Sequence, residues 1–232
     1  MRSAALLGLG LLVPLASATA LELSVDAFYT ADAKVRVENR NTGNTAKLDG
    51  GDGEGLRVVA WQTNSRVFYS AELANVRDAD NQFRVGNETF NQRARYEQIR
   101  LGVGVINTTA FYSRMEVVRT NLRSEQRSLT DANFAADSKR TATGLTGLVG
   151  IAGALYPRLL ASIEVGYQDL DLLKDDGDDA QQFGHGFIGT ARFDVPVMDR
   201  VQLFGEYRHQ QARDTLRTDL SEVRLGVRFN VL

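Results

Sequence analysis

Apolar and polar residues alternate along most of the chain with a period of two. In LELSVDAFYTADAKVRV, which starts at Leu21, the odd positions up to Val37 carry leucine, valine, alanine or tyrosine, and most even positions are polar. The segments EQIRLGVGVI (97 to 106) and EVRLGVRFNV (222 to 231) repeat this pattern. Alternation of this kind predicts strands that have one apolar face and one polar face.

Ten strands are predicted, and the connections between them alternate in length. The predicted strands span 21–38, 55–62, 67–76, 96–106, 110–120, 144–154, 159–169, 183–194, 201–209 and 222–231. Short connections (63–66, 106–109, 155–158 and 195–200) alternate with long polar ones (39–55, 77–95, 122–143, 169–182 and 210–220). All short turns then lie on one rim and all long loops on the other, as in bacterial transmembrane barrels. The predicted fold class is all-β: a closed antiparallel transmembrane barrel of about ten strands, with eight as the alternative, short periplasmic turns and long extracellular loops.

The first twenty residues predict a secretory signal peptide. Arg2 precedes an apolar run that ends near Ala16, and small residues lead to an expected cleavage site after Ala20. This run is shorter than the roughly 20 residues that a spanning helix needs. We therefore expect residues 1–20 to be a cleaved signal peptide and residues 21–232 to form one outer-membrane barrel domain.

Two interpretations of the faces compete, because a soluble barrel would bury the apolar face and a membrane barrel would expose it to lipid. Glycines on the polar face, at Gly102, Gly104, Gly166 and Gly226, favour a crowded lumen over a solvated surface. Together with the predicted export and the loop asymmetry, they favour the membrane barrel. Surface salt bridges on a soluble β-sandwich remain the alternative.

The composition narrows the chemistry further. The chain has no cysteine, which excludes disulfides, thiolate metal sites and cysteine nucleophiles. Its 27 basic and 29 acidic residues nearly cancel, which gives no reason to expect a nucleic-acid partner. Only Lys34, Lys47, Lys139 and Lys174 are lysines, so almost all the basic residues are arginine. Arginine is the residue that pairs bidentately with carboxylates away from bulk water.

Charged residues recur in the middle of predicted strands, on the polar face. We predict a lumen-facing charge network in which acids and arginines meet across neighbouring antiparallel strands, because an unpaired buried charge is costly. Its predicted members are Glu72, Glu116, Glu164, Glu206, Arg57, Arg100, Arg192, Arg224 and Arg228.

Aromatic residues near the strand ends predict two interface girdles. The girdle at the short-turn rim would contain Trp61, Phe68, Phe111, Tyr156 and Phe193, and the one at the loop rim Tyr96, Tyr167 and Tyr207.

No motif predicts catalysis, a metal site or a cofactor. His185 and His209 are the only histidines, and neither stands at a spacing typical of a hydrolase. The acidic segment with Asp175, Asp176, Asp178 and Asp179 lacks the ligand spacing of an EF-hand. We interpret this segment and GDGEG (51 to 55) as solvated loops, and we predict that the protein is not an enzyme.

Taken over its whole length, the chain resembles the small outer-membrane β-barrel proteins of Gram-negative bacteria, of the OmpA type. The signal peptide, the GDGEGLR start of the second strand, hairpins that end in SAEL or GEY, and the final RLGVRFNVL carry this resemblance. It implies location in the cell outer membrane, insertion by the barrel assembly machinery, contact with outer-membrane lipid and lipopolysaccharide, and a monomeric state.

Three functional hypotheses remain open at this point. Ten strands that carry long inward side chains predict a largely occluded lumen, and hence a structural or surface-interaction protein. A narrow channel for small polar solutes or ions is the alternative. A soluble periplasmic β-protein is a third hypothesis, although each repeat supplies two strands and not the four of a propeller blade.

Overall fold

The computed structural model describes residues 21–39, 45–62, 65–85, 87–130, 135–173, 183–214 and 216–231, and these form one closed antiparallel barrel. This confirms the predicted fold class and the count of ten strands. The strands are β1 (Leu21–Asn39), β2 (Thr45–Gln62), β3 (Val67–Val85), β4 (Glu88–Ile106), β5 (Phe111–Ser128), β6 (Ala135–Tyr156), β7 (Leu159–Asp169), β8 (His185–Met198), β9 (Val201–Arg213) and β10 (Leu216–Asn230).

Two predicted features lie outside the described residues. These are the signal peptide at 1–20 and the acidic loop with Asp175, Asp176, Asp178 and Asp179. Within the part of the chain that the structure describes, no helix is long and apolar enough to span a membrane. The end of the barrel with the short connections is called the periplasmic end below, and the opposite end the outer end.

The strands continue through most of the segments that were predicted as long loops. The β3–β4 ladder runs up to the Val85–Glu88 pair, and β5 and β6 remain paired from Phe111–Ile151 to Arg127–Ala135. GDGEG is not a solvated turn, because it lies inside β2. A Cβ atom on Gly53 would lie 1.7 Å from the carbonyl oxygen of Asn75, so only glycine fits there.

These segments look like loops in the sequence because the polarity of the two barrel faces inverts beyond the membrane. On β4 the outward residues Ile99 and Leu101 are exposed and apolar, whereas the outward residues Arg95 and Glu97 are polar. Inward on the same strand, Tyr96 is buried in an apolar cluster. The half of the barrel next to the periplasmic end, called the inner half below, therefore has a lipid-facing surface. The half next to the outer end, called the outer half, has the polar exterior and apolar interior of a soluble barrel.

In β1 a β-bulge exchanges the inward and outward faces at the point where the polarity inverts. The register with β10 shifts between Thr30 and Asp32, which leaves an extra residue in β1. Ala33 and Val35 consequently point inward and are buried, although strict alternation from Leu21 predicted that they share its outward face. A bulge adds one residue to a strand and so exchanges the faces of everything beyond it.

The outward apolar residues form a continuous belt around the inner half. It is bounded at the outer end by a change from apolar to polar residues on every outward face, for example from Val117 to Arg119 and from Val223 to Ser221. On β4 the belt extends from Ile99 to Val105, about 20 Å along the strand at 3.3 Å per residue. For a strand tilted by about 40° this length corresponds to a height of about 15 Å, which fits within the lipid-facing band of transmembrane barrels, about 25 Å tall.

The predicted aromatic girdles are partly wrong. Phe111, Tyr156, Phe193, Tyr167 and Tyr207 are exposed on the outward face, as predicted. Tyr96 is buried inside the outer half, whereas Trp61 and Phe68 line the lumen at the periplasmic end. These three aromatics occupy inward positions because each lies an even number of residues from an inward charge on its own strand.

Candidate functional site: the barrel lumen

Two carboxylates, Glu72 on β3 and Glu206 on β9, form the centre of the lumen. Arg57 on β2 donates from Nε to Glu72 (2.7 Å) and from its two terminal nitrogens to both oxygens of Glu206 (2.8 and 2.9 Å). Arg208 donates two hydrogen bonds to Glu72 (2.5 and 3.0 Å). Arg224 bridges the two acids at 3.0 and 3.2 Å. Because two strands separate β2 from β9 in the wall and three strands separate β3 from β9, these bonds cross the lumen.

A second group of ion pairs lies toward the periplasmic end. Asp26 on β1 accepts a bidentate pair from Arg228 (2.6 and 3.0 Å) and a bond from Arg192 on β8 (2.6 Å). Arg192 also binds Asp194, two residues along its own strand. The side chain of Arg228 is 25% exposed, which makes it the most open arginine of the network.

A third group lies along β4, β5 and β7, and its members Arg114 and Glu164 line the periplasmic end of the lumen. Arg100 donates to Glu116 (2.7 Å) and, across the lumen, to Gln210 (2.6 Å). Arg114 pairs with Glu116 (3.3 Å) and Glu164 (2.9 Å), so it joins β5 to β7 across the lumen face of β6. Glu222 pairs with Arg224, and together with the three groups it completes an electrically balanced network of seven arginines and seven carboxylates. These are Arg57, Arg100, Arg114, Arg192, Arg208, Arg224, Arg228, Asp26, Glu72, Glu116, Glu164, Asp194, Glu206 and Glu222.

Aromatic rings that lie over glycines of the neighbouring strand hold the arginines in place. Phe28 is paired in register with Gly55, and Phe204 with Gly226. A Cβ atom on Gly226 would lie within 2.7 Å of the Phe204 ring, so the ring needs the glycine beneath it. The guanidinium of Arg192 lies 3.7 Å from the centroid of Phe204, a cation–π contact that limits its orientation.

All nine predicted network residues lie on the lumen side of the wall. The structure links Arg57, Glu72, Glu206, Arg192, Arg224 and Arg228 in one connected set, and Arg100 and Glu116 in the third group. Glu164 binds Arg114, which was not among the predicted arginines. Several pairs cross the lumen, whereas the prediction had neighbouring strands only.

Five network members were missed in the sequence: Asp26, Arg114, Asp194, Arg208 and Glu222. Four of them stand two residues from a predicted member on the same strand, as Arg208 does from Glu206. Positions i and i+2 of a strand share a face. Searching each strand for charges at this spacing would have found these four.

An apolar core lies inside the barrel beyond the ion pairs. Val118 is 0% exposed and contacts a cluster contributed by nearly every strand of the outer half. Leu170 and Phe183, at the two ends of the β7–β8 connection, join the same cluster. Asp171 joins the described ends of this connection by accepting hydrogen bonds from the backbone N–H groups of Phe183 and Gly184, and burial raises the pKa of Asp171.

The periplasmic end of the lumen contains a cavity of about 500 Å³. Trp61, Phe68 and Leu160 are among its apolar walls, and Arg57 and Glu206 form part of its closed inner end. The cavity is therefore a vestibule that ends at the ion-pair network.

Neither histidine lies in the lumen. His209 and Ser221 face outward and are hydrogen-bonded at 2.9 Å, and His185 is exposed beside Tyr167. Among the described residues, no carboxylate is hydrogen-bonded to the other ring nitrogen of His209, so the His209–Ser221 pair lacks the orienting acid of a triad. The described ranges also contain no group of three or more acidic or histidine side chains that could hold a metal ion.

Comparison with known proteins identifies the fold and not a family. No protein-family model and no curated protein matches the chain. Among solved structures, the translocator domain of the autotransporter NalP from Neisseria meningitidis is 14% identical, with a TM-score of 0.51 over 93% of this chain and 90% of that one. The outer-membrane protease OmpT from Escherichia coli is 8% identical, with a TM-score of 0.49 over 90% of this chain and 96% of that one. The protein Ail of Yersinia pestis is 12% identical, with a TM-score of 0.45 over 90% and 98%.

Identities this low show the fold alone. The closed ten-strand barrel, the lipid-facing belt and the likeness to the autotransporter domain agree with one another. The chain has the fold of a Gram-negative outer-membrane β-barrel.

Proposed function

We propose that the protein is a closed, non-conducting barrel of the outer membrane whose outer half carries surface interactions. The observation that supports this proposal most is the apolar core of the outer half, because it lies directly across the path that a solute would follow. Its residues Val118, Val76 and Ala79 are at most 1% exposed. An ion that entered this layer would lose its hydration without gaining polar partners.

The ion-pair network supports occlusion as a second, independent layer. Arg57, Arg208 and Arg224 each bind Glu72 or Glu206 across the lumen, so opening a path would separate several buried charge pairs at once. A channel that selects for one sign of charge carries an excess of the other sign on its wall. The balanced network supplies no such excess.

The outer half provides the surface for interactions. Its paired hairpins continue beyond the lipid-facing belt as an ordered wall, with exposed polar residues such as Arg93, Arg123 and Lys139 on the outside. The apolar core holds these hairpins together from within. A binding surface on such a wall is preorganised, so partners would pay little ordering entropy there.

A narrow channel is the second candidate, and the periplasmic vestibule of about 500 Å³ is the observation that favours it. In that function, solutes would enter from the periplasm, and both inner layers would have to move. Conductance recordings distinguish the two candidates.

Shortening the β3–β4 hairpin tests the surface role. Asp80 and Arg93 face each other in the ladder, so residues 81–92 can be replaced by an Asn-Gly turn without altering the membrane belt. We expect this variant to insert and to keep its heat-modifiable migration. Cells that carry it should lose the adhesion to glycans, matrix proteins or abiotic surfaces that the wild type confers on a deletion strain.

The control replaces two exposed side chains at the opposite end of the barrel, Asp199→Ala and Arg200→Ala, in the periplasmic turn between β8 and β9. It should adhere like the wild type. Adhesion that is unchanged in the shortened variant, or absent from the wild type on every surface, would contradict the proposed role.

A further inference from the structure

Three cations stand side by side on the outside of the barrel, just beyond the lipid-facing belt. Arg95 on β4 is in register with Arg123 on β5, and Arg123 is in register with Lys139 on β6. All three side chains are exposed and face outward. This set is called the cation row below. Like charges directly opposite each other in a sheet are destabilising, so the row calls for an anion that offsets it.

The row lacks such an anion within the protein. In the ranges that the structure describes, no carboxylate forms an ion pair with Arg95, Arg123 or Lys139. The outward acids Glu125 and Asp137 lie two residues further out, where Glu125 pairs with Arg127 at 3.9 Å. The charges of the row are therefore available to a ligand.

The height of the row indicates what kind of ligand it meets. Arg95 lies four residues beyond Ile99, the last lipid-facing residue of β4. Four residues correspond to a rise of about 10 Å for a strand tilted by about 40°. Since the polar layer of a bilayer begins at the edge of its hydrocarbon core, the row lies level with lipid headgroups and their saccharides.

A groove of about 590 Å³ in the outer wall lies next to the cation row, on β1 to β5. Leu56, Leu73 and Ile99 form its apolar part within the belt. Above them lie the polar side chains of Asn75, Glu97 and Asn121, which can hydrogen-bond to hydroxyl groups. Arg95 and Arg123 are each two residues further along the same strands. From the membrane outward, the wall thus offers apolar surface, hydrogen-bonding groups and cations in that order.

From this order we infer that the groove and the cation row together bind a phosphorylated glycolipid of the outer leaflet. Its acyl chains lie against Leu56, Leu73 and Ile99, its sugars meet the amide and carboxylate groups, and its phosphates lie among Arg95, Arg123 and Lys139. The ligand is a membrane lipid and not a free anion, because only a lipid also covers the apolar part of the groove. This inference is independent of the surface role proposed above, since it concerns the lateral wall at the membrane.

The test compares lipid binding in nanodiscs that contain the full chain and bis-phosphorylated lipid A, or lipid A with both phosphates removed. The row variant is Arg95→Gln/Arg123→Gln/Lys139→Gln. We expect the wild type to retain bis-phosphorylated lipid A preferentially, and the row variant to bind it roughly 100-fold more weakly, at about a fivefold loss per cation. A charge-keeping variant, Arg95→Lys/Arg123→Lys, should bind within a few-fold of the wild type.

The control variant is Arg66→Gln/Arg158→Gln/Arg200→Gln, which removes three exposed cations at the periplasmic end. It should keep wild-type binding of lipid A. Equal losses of lipid A binding in the row and control variants would mean that binding depends on general electrostatic attraction. Equal binding of phosphorylated and dephosphorylated lipid A by the wild type would mean that the cations do not recognise the phosphates. Displacement of lipid A by millimolar inorganic pyrophosphate would identify a site for free phosphate. Each of these three results would overturn the inference.

Discussion

Replacing Glu72 by glutamine is expected to lower the free energy of unfolding by about 3–5 kcal/mol, the usual effect of removing one partner of a buried ion pair. Glu72 is buried and accepts hydrogen bonds from Arg57, Arg208 and Arg224. Glutamine has nearly the same shape but no charge. The loss would leave Arg57, Arg208 and Arg224 with Glu206 as the one carboxylate that all three contact.

Urea titration of the protein in phospholipid vesicles measures this loss. The chain has a single tryptophan, Trp61, whose fluorescence reports unfolding because it lines the periplasmic end of the lumen. The matched control is Glu164→Gln, which removes one partner of Arg114 and leaves Glu116 to pair with it. We expect a clearly smaller loss for the control. Equal losses for the two variants would show that the ion pairs at the centre of the lumen contribute no more to stability than the pair between Arg114 and Glu164.

Placing arginine at Ile163 is expected to destabilise the inserted barrel by about 2–4 kcal/mol, the cost of a cation near the bilayer midplane. Ile163 is 55% exposed on the outward face of β7, midway between Leu159 and Tyr167 at the two ends of its lipid-facing segment. The new charge would have to reach the membrane surface or draw water toward it.

Asn75→Arg provides the control for depth. Asn75 also faces outward but lies beyond the belt, between Glu54 and Glu97 in the ladder. Arginine at this position should therefore destabilise the inserted barrel by no more than about 1 kcal/mol, which is the cost of a cation near the membrane interface. Folding into vesicles, followed by heat-modifiable migration, measures both variants. Equal losses at the two depths would refute the assignment of the belt to lipid.

The inner half of the barrel could be predicted because its alternation is undisturbed. On β4 each residue from Gln98 to Val105 alternates between a polar or small inward position and an apolar outward one, and the strand forms as predicted. The outer half could not be predicted in the same way. There several inward residues are small, such as Ala79 and Ala94, and their outward neighbours are polar, so the average composition of these segments is that of a loop.

The β1 bulge illustrates a second limit. Nothing in the alternation of residues 21 to 37 marks the extra residue between Thr30 and Asp32. The bulge is fixed by pairing with β10 and by the apolar cluster that takes up Ala33 and Val35. The local sequence predicts that a strand forms. The position at which its two faces exchange depends on the neighbouring strand and on the apolar cluster.

The lumen network could be predicted in its members better than in its connections. A charge in the middle of an alternating strand identifies an inward residue, as for Glu72 and Arg224. The bond from Arg57 to Glu206 joins residues 149 positions apart, and the bond from Arg192 to Asp26 joins residues 166 apart. Such pairs depend on the curvature and stagger of the closed barrel, which are properties of all ten strands together.

The central claim is that two layers, the ion pairs and the apolar core, close the lumen. Planar-bilayer recording of the purified full chain tests this claim most directly, after insertion has been verified by heat-modifiable migration. We predict no steady conductance above the background of the lipid, at either polarity. Large, stable single-channel steps in the wild type would show a continuous aqueous path and would contradict the closed lumen.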